Sequence, residues 1–406
     1  MATTVSPAEA VRAGSAAATA ARLVSLDALR GFDMLWIMGL AQVLRSLAAA
    51  SGSPSLAWIP VQLEHLEWEG FHFYDLIFPL FLFMIGAAIP YALGKRLARG
   101  DSRARIYGHI VVRVAVLVVL GMMVNGNLLT YDASQFELSY SVLQMLALGY
   151  LVASILFLNL RLRGQIVATL AMLVGYWALL AFVPGPGHEI GKFREGCNLG
   201  DWVTEYLVGN WRWEGQELQI GWVVGILGHA STAMLGVFAG ELLRSSRSSA
   251  WKVLWLVVLG IGCLLGGVFW CGWVAQWWPR VNLFGTNWTQ WPVWFPIIKL
   301  RWTSSYVLYA GGWSYLLLAA FYLVIDVWGF RRWALPLVVV GSNSIFAYMC
   351  WQLGYGVFRQ AAGIFFGGLR PYVGAAWYEP IAWAGASATL WLLLWYLYRN
   401  KTFIRV

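Results

Sequence analysis

A histidine set among carboxylates immediately before a long apolar run can do proton chemistry at the mouth of a membrane. Residues 63–86 have this form, reading LEHLEWEGFHFYDLIFPLFLFMIG. An imidazole titrates near neutral pH, so His65 can accept a proton from an attacking amine or hydroxyl. Asp75, at the start of the apolar run, can orient or polarise that ring, and an ionisable residue at a span end is a candidate for function. A plainer reading treats His65 and His72 as interfacial side chains and Asp75 as a helix N-cap. Both readings stand at this level.

Around this group lie residues suited to holding a polar substrate. Glu64, Glu67 and Glu69 gather in the same segment with Trp68, and a second tryptophan run comprises Trp277, Trp278, Trp288, Trp291 and Trp294. A sugar face stacks well on an indole, which makes Glu64, Glu67, Trp68, Trp288 and Trp291 the substrate-binding candidates. Tryptophan is also enriched at membrane interfaces, and with 26 in the chain that belt role is the commoner use.

The elements that must position these residues are apolar helices. Of 406 residues 60% are hydrophobic and 12% charged, far from the roughly 25% charged of a soluble domain. Apolar stretches of about 20 residues match the thickness of a hydrocarbon layer. The expected fold is an all-α integral membrane protein, a polytopic bundle of about ten transmembrane helices. Spans are expected near 27–49, 73–94, 107–128, 139–159, 166–183, 223–243, 252–273, 304–326, 334–352 and 381–398. The apolar piece 354–368, interrupted by Arg359 and several glycines, is expected to be re-entrant or interfacial instead of a further span.

Lysine and arginine bias near span ends orients the bundle with both termini cytoplasmic. The net charge of +9 is distributed in short clusters between apolar runs, which fits topology and argues against a nucleic-acid partner. The outer segments are longer yet poorer in positive charge, with Lys192, Arg194, Arg212, Arg280, Lys299, Arg301, Arg359 and Arg370. Cys197, Cys263, Cys271 and Cys350 have no metal-ligand spacing, so neither a metal nor a required disulfide is expected. Residues 1–21 read as a disordered cytoplasmic lead-in, and 22–406 as a single transmembrane domain.

Several separated motifs, in order, resemble the bacterial relatives of the lysosomal heparan-alpha-glucosaminide N-acetyltransferase family. They are RLVSLDALRGFDM at 22–34, His65-x-x-Trp68-x-Gly70 followed by Asp75-Leu76-Ile77-Phe78-Pro79, Val142-Leu143-Gln144, Trp302-Thr303-Ser304-Ser305-Tyr306, and Gly341-Ser342-Asn343. The resemblance implies an acyltransferase that takes acetyl-CoA on the cytoplasmic side and delivers the acetyl group to a glucosamine-type amine on the far side. It aligns His65 with the family's catalytic histidine and Asp75 with the carboxylate that follows it, and it suggests a homodimer in membrane lipid. The chain departs from many relatives at Ala41 and Gln42, where an asparagine is common, and at Met145, where an arginine is common. It also differs in the loop holding Gly187-His188-Glu189 and Cys197-Asn198-Leu199.

A donor with several phosphates needs cations or helix N-termini. Arg30, Arg96, Arg99, Arg103, Arg105, Arg331 and Arg332 are the candidates, each of which also serves as a positive-inside signal. Arg30 stands out because it enters a span beside Asp27 and Asp33. Asn343 joins the donor-binding candidates. Asn343 and Gln144 either bond neighbouring helices or line the substrate path, and Ser304 and Ser305 either contact an acyl oxygen or permit close packing. The competing function is a secondary transporter of a sugar or anionic solute, although no inverted repeat is evident.

Overall fold

The computed structural model describes residues 23–132, 141–186, 193, 199–208, 222–272 and 294–404. The expected disordered lead-in, Trp277, Trp278, Trp288, Trp291, Cys197 and the His188 loop lie outside the described residues. The chain is an all-α polytopic membrane protein. Among the described residues, nine helical stretches are long and apolar enough to cross a bilayer. Their outward faces carry exposed Val111, Val112, Leu170, Leu254, Leu265 and Ile364, an apolar surface that suits lipid and not water.

The principal helices are α1 (Val24–Ser51), α2 (Ile77–Ala98), α3 (Arg103–Asn125), α4 (Val142–Asn159), α5 (Leu162–Phe182) and α6 (Trp222–Arg244). They continue with α7 (Ser249–Trp270), α8 (Ser304–Phe321), α9 (Leu335–Ser342), α10 (Ser344–Phe366) and α11 (Arg370–Arg399). Helix α2 is apolar all round because it is the buried axis, with Leu80, Leu82, Phe83, Met84 and Ala87 fully shielded.

Small residues set how close its neighbours come. A Cβ on Gly86 would fall inside the carbonyl oxygen of Ala233, and one on Gly236 inside that of Phe83, so α2 and α6 meet backbone to backbone. Gly31 and Gly341 make the same close approach between α1 and α9. Without a hydrophobic driving force between helices in lipid, such backbone proximity supplies packing and polar contact.

Helix α1 is interrupted by a π-turn at Trp36–Leu40, where Gly39 has φ 110°. The turn frees the Met38 carbonyl, which accepts a hydrogen bond from Ser387 Oγ of α11 at 2.7 Å. A π-turn in a membrane helix thus tolerates its lost backbone bond by borrowing a hydroxyl from a neighbour.

One topological expectation needs correction. The segment 334–352 is not one helix: α9 ends at Ser342, and Asn343 sits between α9 and α10 with non-helical φ −131° and ψ 40°. The piece 354–368, expected to be re-entrant or interfacial, is helical to Phe366 and follows the Ser344 half of α10 across a kink at Gly354. The valine-rich run before Ser342 hides the break, and Gly354, with non-helical φ −137° and ψ 16°, supplies the kink in α10.

Candidate functional site

The site forms where the chain enters α2. A 3₁₀ turn, Phe73–Leu76, starts that helix, and His72 and Asp75 cap it reciprocally. The backbone N–H of His72 donates to Asp75 Oδ2 at 3.0 Å, and the N–H of Asp75 donates to the His72 carbonyl at 3.0 Å. Only Oδ2 is used by the cap. Oδ1 is left to face the loop, where His65 Nδ1 meets it at 2.9 Å. The N-cap position belongs to His72, with Asp75 at the third position of the turn, so one carboxylate oxygen of Asp75 serves the cap and the other meets His65.

The loop before the turn is held in shape by its own contacts. Arg45 of α1 donates to the Leu63 carbonyl and lies 5.5 Å over the Tyr74 ring. Tyr74 in turn packs against the His65 ring with centroids 4.8 Å apart. The His72 side chain contacts the Glu64 carbonyl at 3.1 Å. Gly70, at φ 127°, turns the chain so that its N–H reaches the Ile297 carbonyl at 2.9 Å, beside an isolated antiparallel bridge between Glu69 and Ile298.

That bridge brings in a residue to which the sequence reading gave no role. Lys299 follows Ile298 directly, and its Nζ donates to Asp75 Oδ1 at 3.0 Å while lying 2.6 Å from His65 Nδ1 and 3.2 Å from His65 Nε2. Side-chain exposure grades the three groups: 54% for His65, 16% for Lys299 and 1% for Asp75. Burial pulls the Lys299 ammonium below the ordinary lysine range, with the Asp75 charge and hydrogen bond opposing.

The Trp302–Tyr306 motif is the clamp for this loop. Thr303 Oγ1 accepts from Ile298 N–H at 3.1 Å and donates to the Pro296 carbonyl at 2.8 Å, which Ser305 Oγ also reaches at 2.9 Å. Ser304 Oγ donates to the Leu173 carbonyl at 2.7 Å, and Trp302 Nε1 to Thr232 Oγ1 at 2.9 Å. Tyr306 hydroxyl donates to the backbone carbonyl of Asp75 at 2.8 Å, tying α8 to the start of α2. Ser304 and Ser305 are thus committed to backbone carbonyls.

His65 and Lys299 line a cavity of about 530 Å³ that runs inward between the helices, a size typical of small-molecule sites. Its far wall includes Met34 and Ile37 of α1 and Ile345, Tyr348 and Gln352 of α10. Two further basic side chains absent from the sequence-level candidates line it: Arg301, whose guanidinium lies 4.8 Å over the Trp68 ring, and the buried His229, whose ring is 4.5 Å from that of Trp302. A lysine and an arginine in a short apolar and aromatic segment, WFPIIKLRW, were the available signal.

The other sequence-level candidates sit apart from this cavity. Glu64 and Glu67 are exposed and do not line it. Trp68 donates its Nε1–H to the Phe193 carbonyl at 2.9 Å and gives one ring face to Arg301. Trp288 and Trp291 are outside the described residues. Gln144 caps its own helix through Ser141, and it packs on Gly121 of α3.

The donor-binding candidates are likewise outside the cavity. Arg30 pairs with Asp27 at 3.4 Å, Arg96 with Asp101 at 3.5 Å, and Arg331 with Asp326 at 3.9 Å. Arg103 donates to Asn159, Arg99 closes the end of α2, and Arg332 starts the short turn before α9. Asn343 is buried, donating to the Thr402 carbonyl at 3.2 Å and accepting from Ile404 N–H at 2.8 Å. Its amide secures the Thr402–Ile404 segment and is not turned into the cavity.

Residues 22–160 match the model of a domain of unknown function, DUF5009. The chain is 25% identical over 407 residues to heparan-alpha-glucosaminide N-acetyltransferase of Homo sapiens, covering 84% of this chain and 56% of that protein. It is 24% identical over 341 residues to the protein of the same name from Mus musculus, covering 70% of this chain and 48% of that protein. The chain spans about half the length of the curated relatives it matches. Both alignments are distant, and each is long relative to this chain.

Proposed function

We propose that this protein is a transmembrane acetyltransferase that moves an acetyl group from acetyl-CoA on the cytoplasmic side to an amino sugar on the outer side. The acceptor is a glucosamine-type amine, and His65 is the general base that removes its proton. The observation that carries the reading is the His65–Asp75 pair at the edge of an internal cavity, in a chain similar over most of its length to N-acetyltransferases of an amino sugar. The protein sits in a bacterial inner membrane with both termini cytoplasmic, in keeping with the lysine and arginine bias of its loops.

Asp75 fixes the ring. A Nδ1–H donated to Oδ1 leaves the Nε2 lone pair as the base, and the buried carboxylate stabilises the imidazolium that forms. The amine then attacks the acetyl carbon as its proton moves to Nε2, and the carbon–sulfur bond breaks. Direct attack requires both substrates in place together. The alternative, an acetyl group carried on His65, would load the enzyme before any acceptor arrives.

The cavity is large enough for the thioester end of the donor beside a sugar ring. Arg301 in its lining favours the carbonyl oxygen on which negative charge develops. The phosphates of the donor are assigned to arginines near the cytoplasmic ends of the helices, with Arg30, Arg96, Arg99, Arg103, Arg331 and Arg332 as the set to test.

The test is acetyl-labelled acetyl-CoA incubated with purified protein and glucosamine. Acetylated sugar formed by the wild type and absent with His65→Ala supports the reading. Equal product from His65→Ala would remove His65 as the base.

A further inference from the structure

The base of the proposed reaction is in contact with a second proton-bearing group, and the two share one countercharge. Lys299 Nζ lies 2.6 Å and 3.2 Å from the two ring nitrogens of His65, and both residues meet the same oxygen, Asp75 Oδ1, at 3.0 Å and 2.9 Å. A single carboxylate balances one cation. With Lys299 charged, a proton arriving on His65 puts two positive charges in contact, and because Lys299 and Asp75 are largely shielded that repulsion is only partly screened by solvent. Protonation of His65 and deprotonation of Lys299 are thereby coupled.

The geometry points to Lys299 as the general acid that protonates the leaving thiolate, in step with proton uptake by His65. The inference rests on the acetyl-transfer reading. As the acceptor nitrogen bonds to the acetyl carbon, its proton passes to His65 Nε2. The carbon–sulfur bond breaks, its electron pair stays on sulfur, and the sulfur takes a proton from Lys299 Nζ. The triad then holds imidazolium, neutral amine and carboxylate, the same net charge as before. His65, whose side chain is 54% exposed, then releases its Nε2 proton to solvent, and Lys299 takes one up, which leaves Nδ1–H on Asp75 and restores the starting tautomer. One proton leaves the acceptor and one reaches the thiol, so no net external acid is consumed.

Two features of the structure favour this over a purely structural lysine. Lys299 lines the cavity together with His65, so its side chain borders the reacting space while its ammonium meets the carboxylate. Burial also makes it a stronger acid than a free lysine.

The experiment compares acetyl-CoA with an aryl thioester of acetic acid, whose acidic thiol departs without a proton. Purified wild type, Lys299→Met, Lys299→Arg and His65→Ala are assayed with each donor in the presence of glucosamine. Lys299→Met and Lys299→Arg should lose about 10²–10⁴-fold with acetyl-CoA and retain most of the aryl thioester rate, while His65→Ala loses both. Equal losses with the two donors, or recovery of the acetyl-CoA rate by Lys299→Arg, would overturn the acid role in favour of a charge that holds Asp75. A wild type inert towards both donors would overturn the acetyl-transfer reading itself, and the inference with it.

Discussion

His65 meets Asp75 across a loop of the same segment, Nδ1 to Oδ1 at 2.9 Å, while the other carboxylate oxygen caps the helix that follows. The cap fixes where the carboxylate points, so the orientation of the histidine is a consequence of how α2 begins. A group that performs both tasks with separate oxygens lets them be separated by mutation.

Asp75→Asn keeps a carbonyl oxygen for the His72 N–H and removes the charge that faces His65 and Lys299. The variant should fold and purify like wild type, yet lose about 10²–10⁴-fold in turnover because the imidazolium is no longer stabilised. Initial rates alongside a thermal-unfolding curve check this; normal turnover would mean that the carboxylate serves the cap alone.

The pH profile should carry the signature of Lys299. Because burial lowers its proton affinity, the acid form is lost as pH rises through a value below the ordinary lysine figure of about 10.4. The rate with acetyl-CoA should therefore fall on the alkaline side earlier than a free lysine would dictate. Asp75 and His65 are the ionisable groups in contact with it, and Arg301 lies two residues on. The same limb should be absent with an aryl thioester donor; a limb common to both donors would assign it to another group.

At the crossing of α2 and α6, Gly86 allows no side chain, since a Cβ would enter the Ala233 carbonyl. Gly86→Ala should cost about 1–3 kcal/mol through the overpacking it forces. The readout is the melting midpoint of the purified protein in detergent. An unchanged midpoint would mean that the two helices separate freely at this point.

Asp33 of α1 is fully buried, and neither carboxylate oxygen has a hydrogen-bond partner among the described residues. A buried polar group in that condition destabilises, and an apolar replacement of similar volume relieves the cost. Asp33→Leu should melt no lower than wild type. A drop of several degrees would show that the carboxylate is satisfied in the membrane, for which ordered water is the simplest source.

Much of the bundle is legible in the sequence because a bilayer demands long apolar helices, and the spans around α2, α6 and α8 follow from that alone. His65 and Asp75 are legible for a local reason: they lie ten positions apart at the edge of one apolar run. Lys299 is not, since it comes from 224 positions beyond Asp75 and arrives through the Glu69–Ile298 bridge, a backbone contact without a residue-type signal. Nor does any local pattern reveal that Ser304 and Ser305 are committed to carbonyls, or that Asn343 is held by Thr402 and Ile404, because those partners are set by tertiary packing. Arginines read as a phosphate site share the positive-inside pattern of any membrane protein, and that ambiguity is a property of the signal.

The most direct test of the account places the two substrates on opposite sides of a membrane. Protein reconstituted into vesicles, with acetyl-labelled acetyl-CoA confined to the cytoplasmic face and glucosamine to the other, is assayed for acetylated sugar in the acceptor compartment, using wild type and His65→Ala. The account predicts labelled product with wild type and none with His65→Ala, at equal protein incorporation. Product formed equally by both, or by neither, would contradict it.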